Sequence, residues 1–299
     1  MPTKKIDQAL ILMEKVGSLL RDAKEEISNG TEVSSKQAVS KQAVSKDAVN
    51  LNIDKWPKAV NPNLICSADS EQDKVDRANG VVELMIEENL NDKKFLDFGC
   101  GEGHTVDVTT KHKTVVSVGY DIVENNWSGK SGVLTTDMDV VEENGPYDVI
   151  IVFDVLDHIG PFDNLDAPKS ILKKAAELLS PEGKMYLRCH PWVSRHGTHM
   201  YHWENKAYAH LVFTDEELTK AGVKLGEKTQ KVTKPIATYR SWIKEAGLKV
   251  DNERVIKDPV EDFFKSPKIE KRITKNVGMG SFPEFQMSIA FIDYILVKN

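Results

Sequence analysis

The feature that most limits the possible folds of this 299-residue chain is a short apolar run followed by three glycines at alternate positions. Residues 94–103 read Lys-Phe-Leu-Asp-Phe-Gly-Cys-Gly-Glu-Gly, and Asp97 precedes the first of these glycines by two positions. Glycine adopts backbone dihedral angles that other residues avoid, and a turn without Cβ atoms allows a flat ligand to lie directly on the main chain. The pattern predicts a buried strand that ends in a tight, ligand-binding turn.

The spacing of the glycines separates this turn from a dinucleotide-binding turn. The dinucleotide pattern is Gly-x-Gly-x-x-Gly, with the pyrophosphate at a helix N-terminus. Here the third glycine, Gly103, comes one residue early, and His104 holds the sixth position. Asp97 would repel a pyrophosphate, whereas its carboxylate can accept a hydrogen bond from an ammonium or hydroxyl group. Taken alone, the glycines also fit a turn that binds no ligand.

Three further acidic residues each end a short apolar run, at intervals expected for successive strands of one sheet. Asp121 ends the first run about 20 residues after the glycines, as expected for a carboxylate that binds ribose hydroxyls. Asp137 and Asp154 end the next two runs, and a helix end, a Pro-Gly turn and a fifth strand follow at 178–188. Strands that alternate with helices predict a parallel sheet, which binds ligands at the carboxyl ends of its strands. The alternatives are a solvated turn acid for Asp121 or Asp137 and a helix cap for Asp154.

This order of motifs resembles the class I S-adenosylmethionine (SAM) methyltransferases over roughly residues 70–299. The resemblance implies an α/β, doubly wound, mostly parallel seven-stranded sheet with the last strand antiparallel. It implies that the first acid and the glycines hold the amino acid part of SAM, that Asp121 binds the ribose, and that Asp137 and Met138 meet the adenine. The cofactor-binding residues that it implies are Asp97, Gly99, Cys100, Gly101, Gly103, Asp121, Ile122, Asp137, Met138, Phe153 and Asp154.

Three segments are predicted along the chain. Residues 1–30 contain a helix with a heptad seam over 6–27, where apolar side chains alternate at steps of three and four. This helix either joins subunits in a homo-oligomer, which we favour, or lies on its own catalytic domain. Residues 31–69 form a linker with a five-residue repeat, and 70–299 form the methyltransferase-like domain, with an acceptor-pocket insertion at about 190–235.

Five of the eight histidines fall between 190 and 210, beside the expected site of methyl transfer. One of them could be a general base, because the pKa of histidine lies near neutrality. Alternatively, His196, His199 and His202 could bind a metal, although their spacing matches no strong signature. The third alternative is a structural role. The candidate catalytic residues are His158, His190 and His199, and no metal site is assigned.

Composition restricts the choice of partners and setting. A net charge of −6 does not favour binding to nucleic acid. The three cysteines form neither a disulfide framework nor a Cys-x-x-Cys pair. This use of cysteine favours a reducing, cytoplasmic setting. No apolar run is long enough to span a membrane. The predicted function is SAM-dependent methylation of a hydroxyl or amine on a small or medium acceptor. The alternatives are a non-catalytic methyltransferase-like interaction module and a nicotinamide-dependent oxidoreductase.

Overall fold

The computed structural model describes residues 56–60, 70–156, 158–159, 167–197, 199–202, 204–223 and 235–299. The chain divides into two compact units, Met1–Asp54 and Lys55–Asn299, and all described residues belong to the second. The predicted heptad helix at 6–27 and the repeat at 35–49 therefore lie outside the described residues.

One seven-stranded sheet organises the second unit. Its strands are β1 (Lys94–Phe98), β2 (Val116–Tyr120), β3 (Val133–Thr135), β4 (Tyr147–Phe153), β5 (Leu179–Cys189), β6 (Leu248–Lys257) and β7 (Ile289–Lys298). Their order in the sheet is β3-β2-β1-β4-β5-β7-β6. β7 runs antiparallel to both of its neighbours, whereas the other neighbouring pairs are parallel. The predicted fold, including the antiparallel last strand, is confirmed.

Helices cover the sheet and connect its strands. They are α1 (Glu71–Leu84), α2 (His104–Thr109), α3 (Met138–Asn144), α4 (Ala167–Leu178), α5 (Ala209–Val212), α6 (Asp215–Lys220), α7 (Ile236–Glu245), α8 (Pro267–Val277) and α9 (Glu284–Met287). Short 3-10 turns occupy Thr110–His112, His199–His202 and Asp262–Lys265. α1 begins with a capping box between Ser70 and Asp73. No helix among the described residues is both long enough and apolar enough to cross a bilayer.

The central strands are buried on both faces, which explains their nearly continuous apolar sequences. Phe95 and Leu96 of β1 and Ile150 of β4 are fully buried. Ala78 and Val82 of α1 pack into the same cluster as Phe95. Because β1 lies between β2 and β4, the strand order reverses at β1. Sheets of this kind bind ligands in the crevice outside the carboxyl ends of the strands at such a reversal.

Residues 56–60, from the range predicted as a linker, are part of the second unit. Trp56 is 6% exposed, and its indole N–H donates a hydrogen bond to the Ala207 carbonyl at 2.8 Å. The Trp56 ring centroid lies 5.3 Å from that of Phe213 and 5.7 Å from that of Phe264. Trp56 is therefore part of the hydrophobic core.

Candidate functional site

The glycine turn occupies the carboxyl end of β1, at the crevice. Gly99, Gly101 and Gly103 have φ angles of +97°, +52° and +75°. A Cβ on Gly99 would lie 2.4 Å from Cγ2 of Val155, and one on Gly103 would lie 2.7 Å from Cδ1 of Leu134. The turn therefore excludes larger residues at its first and third glycines, through both φ and packing.

Asp97 lies just before this turn and is 6% exposed. Burial, together with the neighbouring carboxylate of Asp121, raises the pKa of Asp97 to about 7, while a hydrogen bond with Thr105 acts in the opposite direction. An ammonium group bound here would stabilise the ionised carboxylate. The chemistry of this position therefore fits a cationic ligand group.

Asp121 lies at the end of β2 and contacts the glycine turn. The Gly101 N–H donates to Oδ2 of Asp121 at 2.8 Å, and the Val123 N–H approaches Oδ1 at 3.4 Å. The Gly99 and Cys100 N–H groups both donate to the Tyr120 carbonyl. The two strand ends are thus joined by hydrogen bonds, and this brings the Asp121 carboxylate beside Asp97. Cys100 is buried, and burial raises the pKa of its thiol.

Trp127 also contacts this turn, and sequence reasoning missed it. Its indole N–H donates to the Gly101 carbonyl at 2.7 Å. The only sequence signal was an aromatic residue in the connection that follows the second strand.

Asp137 and Met138 mark the start of α3. Oδ1 of Asp137 accepts a hydrogen bond from the Asp139 N–H at 3.0 Å, so Asp137 is the N-cap of this helix. Asp137 is exposed and Met138 is half-buried, while Ile122 on the neighbouring loop is 51% exposed. The local capping role of Asp137 is compatible with the predicted contact to adenine.

An ion pair lies beside the end of β4, where Phe153 and Asp154 were predicted to contact the cofactor. Nε and a terminal nitrogen of Arg188 donate to the two carboxylate oxygens of Asp293 at 2.7 and 2.9 Å. The Arg188 guanidinium carbon lies 5.7 Å from the ring centroid of Phe153 and 5.1 Å from that of Phe291. Asp154 itself has a left-handed φ of +53°. No local sequence pattern predicts this pair.

The described histidines of the predicted cluster make different contacts. His190 at the carboxyl end of β5 is 3% exposed, and its ring centroid lies 5.2 Å from that of His196. The His196 ring lies 5.1 Å from Phe291. By contrast, Nε2 of His210 lies 2.8 Å from the Trp192 carbonyl oxygen, and burial lowers the pKa of His210 to about 4.

The remaining candidates are only partly described. His199 and His202 belong to a 3-10 turn, but their side chains lie outside the described part of the chain. The His158 N–H donates to the Val155 carbonyl at 2.9 Å, immediately after β4. The three interpretations of the histidine cluster therefore remain predictions.

Charged side chains connect α1 to the glycine turn. Glu71, Glu102 and His104 lie close enough together to suggest a cation site. However, Glu71 pairs with Lys130, and Glu102 pairs with Lys74 at 2.7 Å. Hydrogen bonds from Lys130 and His104 lower the pKa of Glu71 to about 2. The two lysine ammonium groups already neutralise these carboxylates, so the cluster is an ion-pair network.

The sequence matches the model of a family described as "Methyltransferase domain" over residues 72–226. No curated protein sequence matches the chain. Similar solved structures include a putative S-adenosylmethionine dependent methyltransferase from Listeria monocytogenes, with 16% identity, a TM-score of 0.45, and coverage of 75% of this chain and 99% of that one. A magnesium protoporphyrin IX methyltransferase from Synechocystis PCC 6803 with bound SAH has 15% identity and a TM-score of 0.44, and the match covers 75% of this chain and 83% of that one. An S-adenosylmethionine-dependent methyltransferase from Clostridium acetobutylicum has 14% identity and a TM-score of 0.46, with 79% and 95% covered.

Proposed function

The chain belongs to the class I SAM-dependent methyltransferases, and we propose that it methylates a hydroxyl or amine on a small or medium acceptor. Its cofactor is SAM. The observation that carries the proposal is the buried Asp97 carboxyl below a turn of three positive-φ glycines, with Asp121 beside it. Two neighbouring carboxyl groups favour a ligand that brings a positive charge and hydroxyl groups.

The residues of the crevice have distinct tasks in this proposal. SAM, when bound, supplies an activated methyl group on its sulfonium. Asp97 accepts hydrogen bonds from the ammonium group of the cofactor, and Asp121 accepts them from the ribose hydroxyls. Met138 and Ile122 offer apolar surface to the adenine. The main work of the protein is then to align the acceptor with the methyl group.

The acceptor side is proposed to lie at the ends of β4 and β5. His158 and His190 follow these two strands, and His199 belongs to the segment after β5. A neutral imidazole there could take the proton that an acceptor hydroxyl or ammonium loses. His210 does not fit this role, because its buried ring is already bonded to a backbone carbonyl.

Cofactor binding is tested by calorimetry with SAM and SAH on the wild type and the Asp97→Asn variant. We expect the variant to bind both ligands much more weakly, because the amide cannot supply a negative charge. Asp251→Asn on the exposed edge strand β6 is the matched control and should bind normally. If the folded wild type bound neither ligand at millimolar concentration, the assigned cofactor role of this site would be wrong.

Turnover is tested by incubating the protein with labelled SAM and a panel of hydroxyl and amine acceptors. Labelled product supports the proposal and identifies the acceptor class. Cofactor binding without turnover across the panel would favour the non-catalytic interaction module. Saturable NAD binding without any response to SAM would instead favour the oxidoreductase alternative.

A further inference from the structure

The loop between β2 and β3, residues 121–132, makes hydrogen bonds to both the N–H and the carbonyl of Gly101. Trp127 donates its indole N–H to the Gly101 carbonyl at 2.7 Å. Asp121 accepts the Gly101 N–H at 2.8 Å. Because both side chains belong to this loop, one loop restrains both backbone groups of Gly101, the N–H donor and the carbonyl acceptor.

Such a restraint matters because the glycine turn has little conformational preference of its own. Three glycines with positive φ lose more conformational freedom on ordering than other residues would. Backbone hydrogen bonds fix the first and third glycines, since Gly99 donates to Tyr120 and Gly103 donates to the Cys100 carbonyl. For Gly101, the bonds to Asp121 and Trp127 supply the restraint.

Trp127 is itself held in place. The Lys130 N–H donates to the Trp127 carbonyl at 3.1 Å, which closes a backbone turn that begins at Trp127. The Lys130 side chain pairs with Glu71 at the start of α1. The Ser131 N–H donates to the Asp107 carboxylate in α2 at 2.9 Å. The indole therefore belongs to a loop that is attached to two helices.

We propose that Trp127 is a positioning residue of the SAM site. It acts through Gly101: the bond from Trp127 to the Gly101 carbonyl and the bond from the Gly101 N–H to Asp121 fix the peptide groups on both sides of this residue, and the turn held in this way keeps the Asp121 carboxylate in place for the ribose. The inference rests on the proposed cofactor role of this turn. Loss of one such hydrogen bond should weaken SAH binding roughly three- to tenfold.

The test compares Trp127→Phe with Trp56→Phe. Both changes keep an aromatic ring and remove an indole N–H that donates to a backbone carbonyl, at 2.7 and 2.8 Å respectively. We expect Trp127→Phe to weaken SAH binding in calorimetry and Trp56→Phe to leave it unchanged. The emission of wild-type tryptophan should respond to SAH. That response should disappear in Trp127→Phe and persist in Trp56→Phe.

The outcomes separate this inference from the cofactor assignment. If the wild type bound no SAH, the cofactor assignment itself would fail. If the wild type bound SAH and Trp127→Phe bound it equally well, Trp127 would have no positioning role. If both variants lost affinity in proportion to their loss of thermal stability, the role of Trp127 would be structural, and the inference would also fail.

Discussion

At the scale of single residues, the glycine turn depends on space as much as on charge. Val155 and Leu134 close against Gly99 and Gly103 so tightly that a Cβ at either position would meet them below 3.0 Å. Gly80 in α1, by contrast, has nothing within 4 Å of its Cβ position and lies in a regular helix. The same substitution should therefore have opposite effects at these two kinds of site.

We predict that Gly99→Ala destabilises the protein by about 1 to 3 kcal/mol, because it adds both a clash and a strained positive φ. Gly80→Ala should be neutral or stabilising by up to about 1 kcal/mol, because alanine favours a helix. Urea denaturation measures both free energies of unfolding, and calorimetry with SAH measures the effect on the turn. Equal stability and SAH affinity in the two variants would contradict the tight packing at Gly99.

Asp97 should make the stability of the cofactor-free protein depend on pH. Its pKa is about 7 in the folded state, whereas an unfolded aspartate titrates near 4. Between these values the folded state binds more protons than the unfolded state, so the free energy of unfolding falls as pH rises. Asp97→Asn should flatten this dependence, which thermal melts at pH 5 and 7.5 would check. SAH affinity should rise with pH over the same range, because the ammonium of the ligand prefers the ionised carboxylate.

At the scale of elements, the predictable part of the fold comes from local patterns. The apolar runs that lead to Asp97, Asp121 and Asp154 act within a few residues of sequence, and each forms a strand where the pattern placed it. The fifth strand begins earlier than predicted, because β5 starts at Leu179 and includes the predicted Pro-Gly turn. Arg188 and Asp293 are 105 positions apart and meet only because β5 pairs with β7. Trp127 and Gly101 likewise meet only through the folded loop. Contacts of this kind, between residues far apart in the sequence, cannot be predicted from any local sequence pattern.

The Arg188–Asp293 pair links β5 to β7 and should contribute measurably to the free energy of unfolding. Burial opposes ionisation of Asp293, but hydrogen bonds from Arg188 and Arg254 outweigh it and lower the pKa of Asp293. We predict that Asp293→Asn costs about 1 to 3 kcal/mol, because it replaces the carboxylate that accepts both hydrogen bonds of the partly buried Arg188 guanidinium with a neutral amide. Glu216→Gln, in the exposed pair with Lys220, should cost less than about 0.5 kcal/mol.

Urea denaturation of the two variants would check this difference, and equal losses would refute it. The pH dependence offers a second check. Because the pKa of Asp293 is lowered in the folded state, its stabilising effect exists above the ordinary aspartate range and is lost as the pH falls. The Asp293→Asn and wild-type stabilities should therefore converge in acid.

At the scale of the whole molecule, Trp56 determines where the chain could be shortened. Its ring packs against Phe213 and Phe264, and its indole N–H bonds to Ala207, so it belongs with the second unit. A protein that lacks residues 1–50 keeps these contacts, whereas one that lacks 1–60 loses them. We expect the longer deletion to lower the melting temperature and the shorter one to leave it nearly unchanged.

Assembly is the last prediction, and it rests on the sequence of residues 6–27. Seven apolar positions spaced alternately three and four residues apart would form an exposed hydrophobic stripe along a helix. An isolated helix of this length is only marginally stable in water. Pairing with the same stripe of a second copy would bury it. We therefore propose a homo-oligomer joined through this segment. Light scattering should show an oligomer for the full chain and a monomer that still binds SAH after removal of residues 1–50. A full-length protein that is already monomeric at micromolar concentration would contradict the proposal.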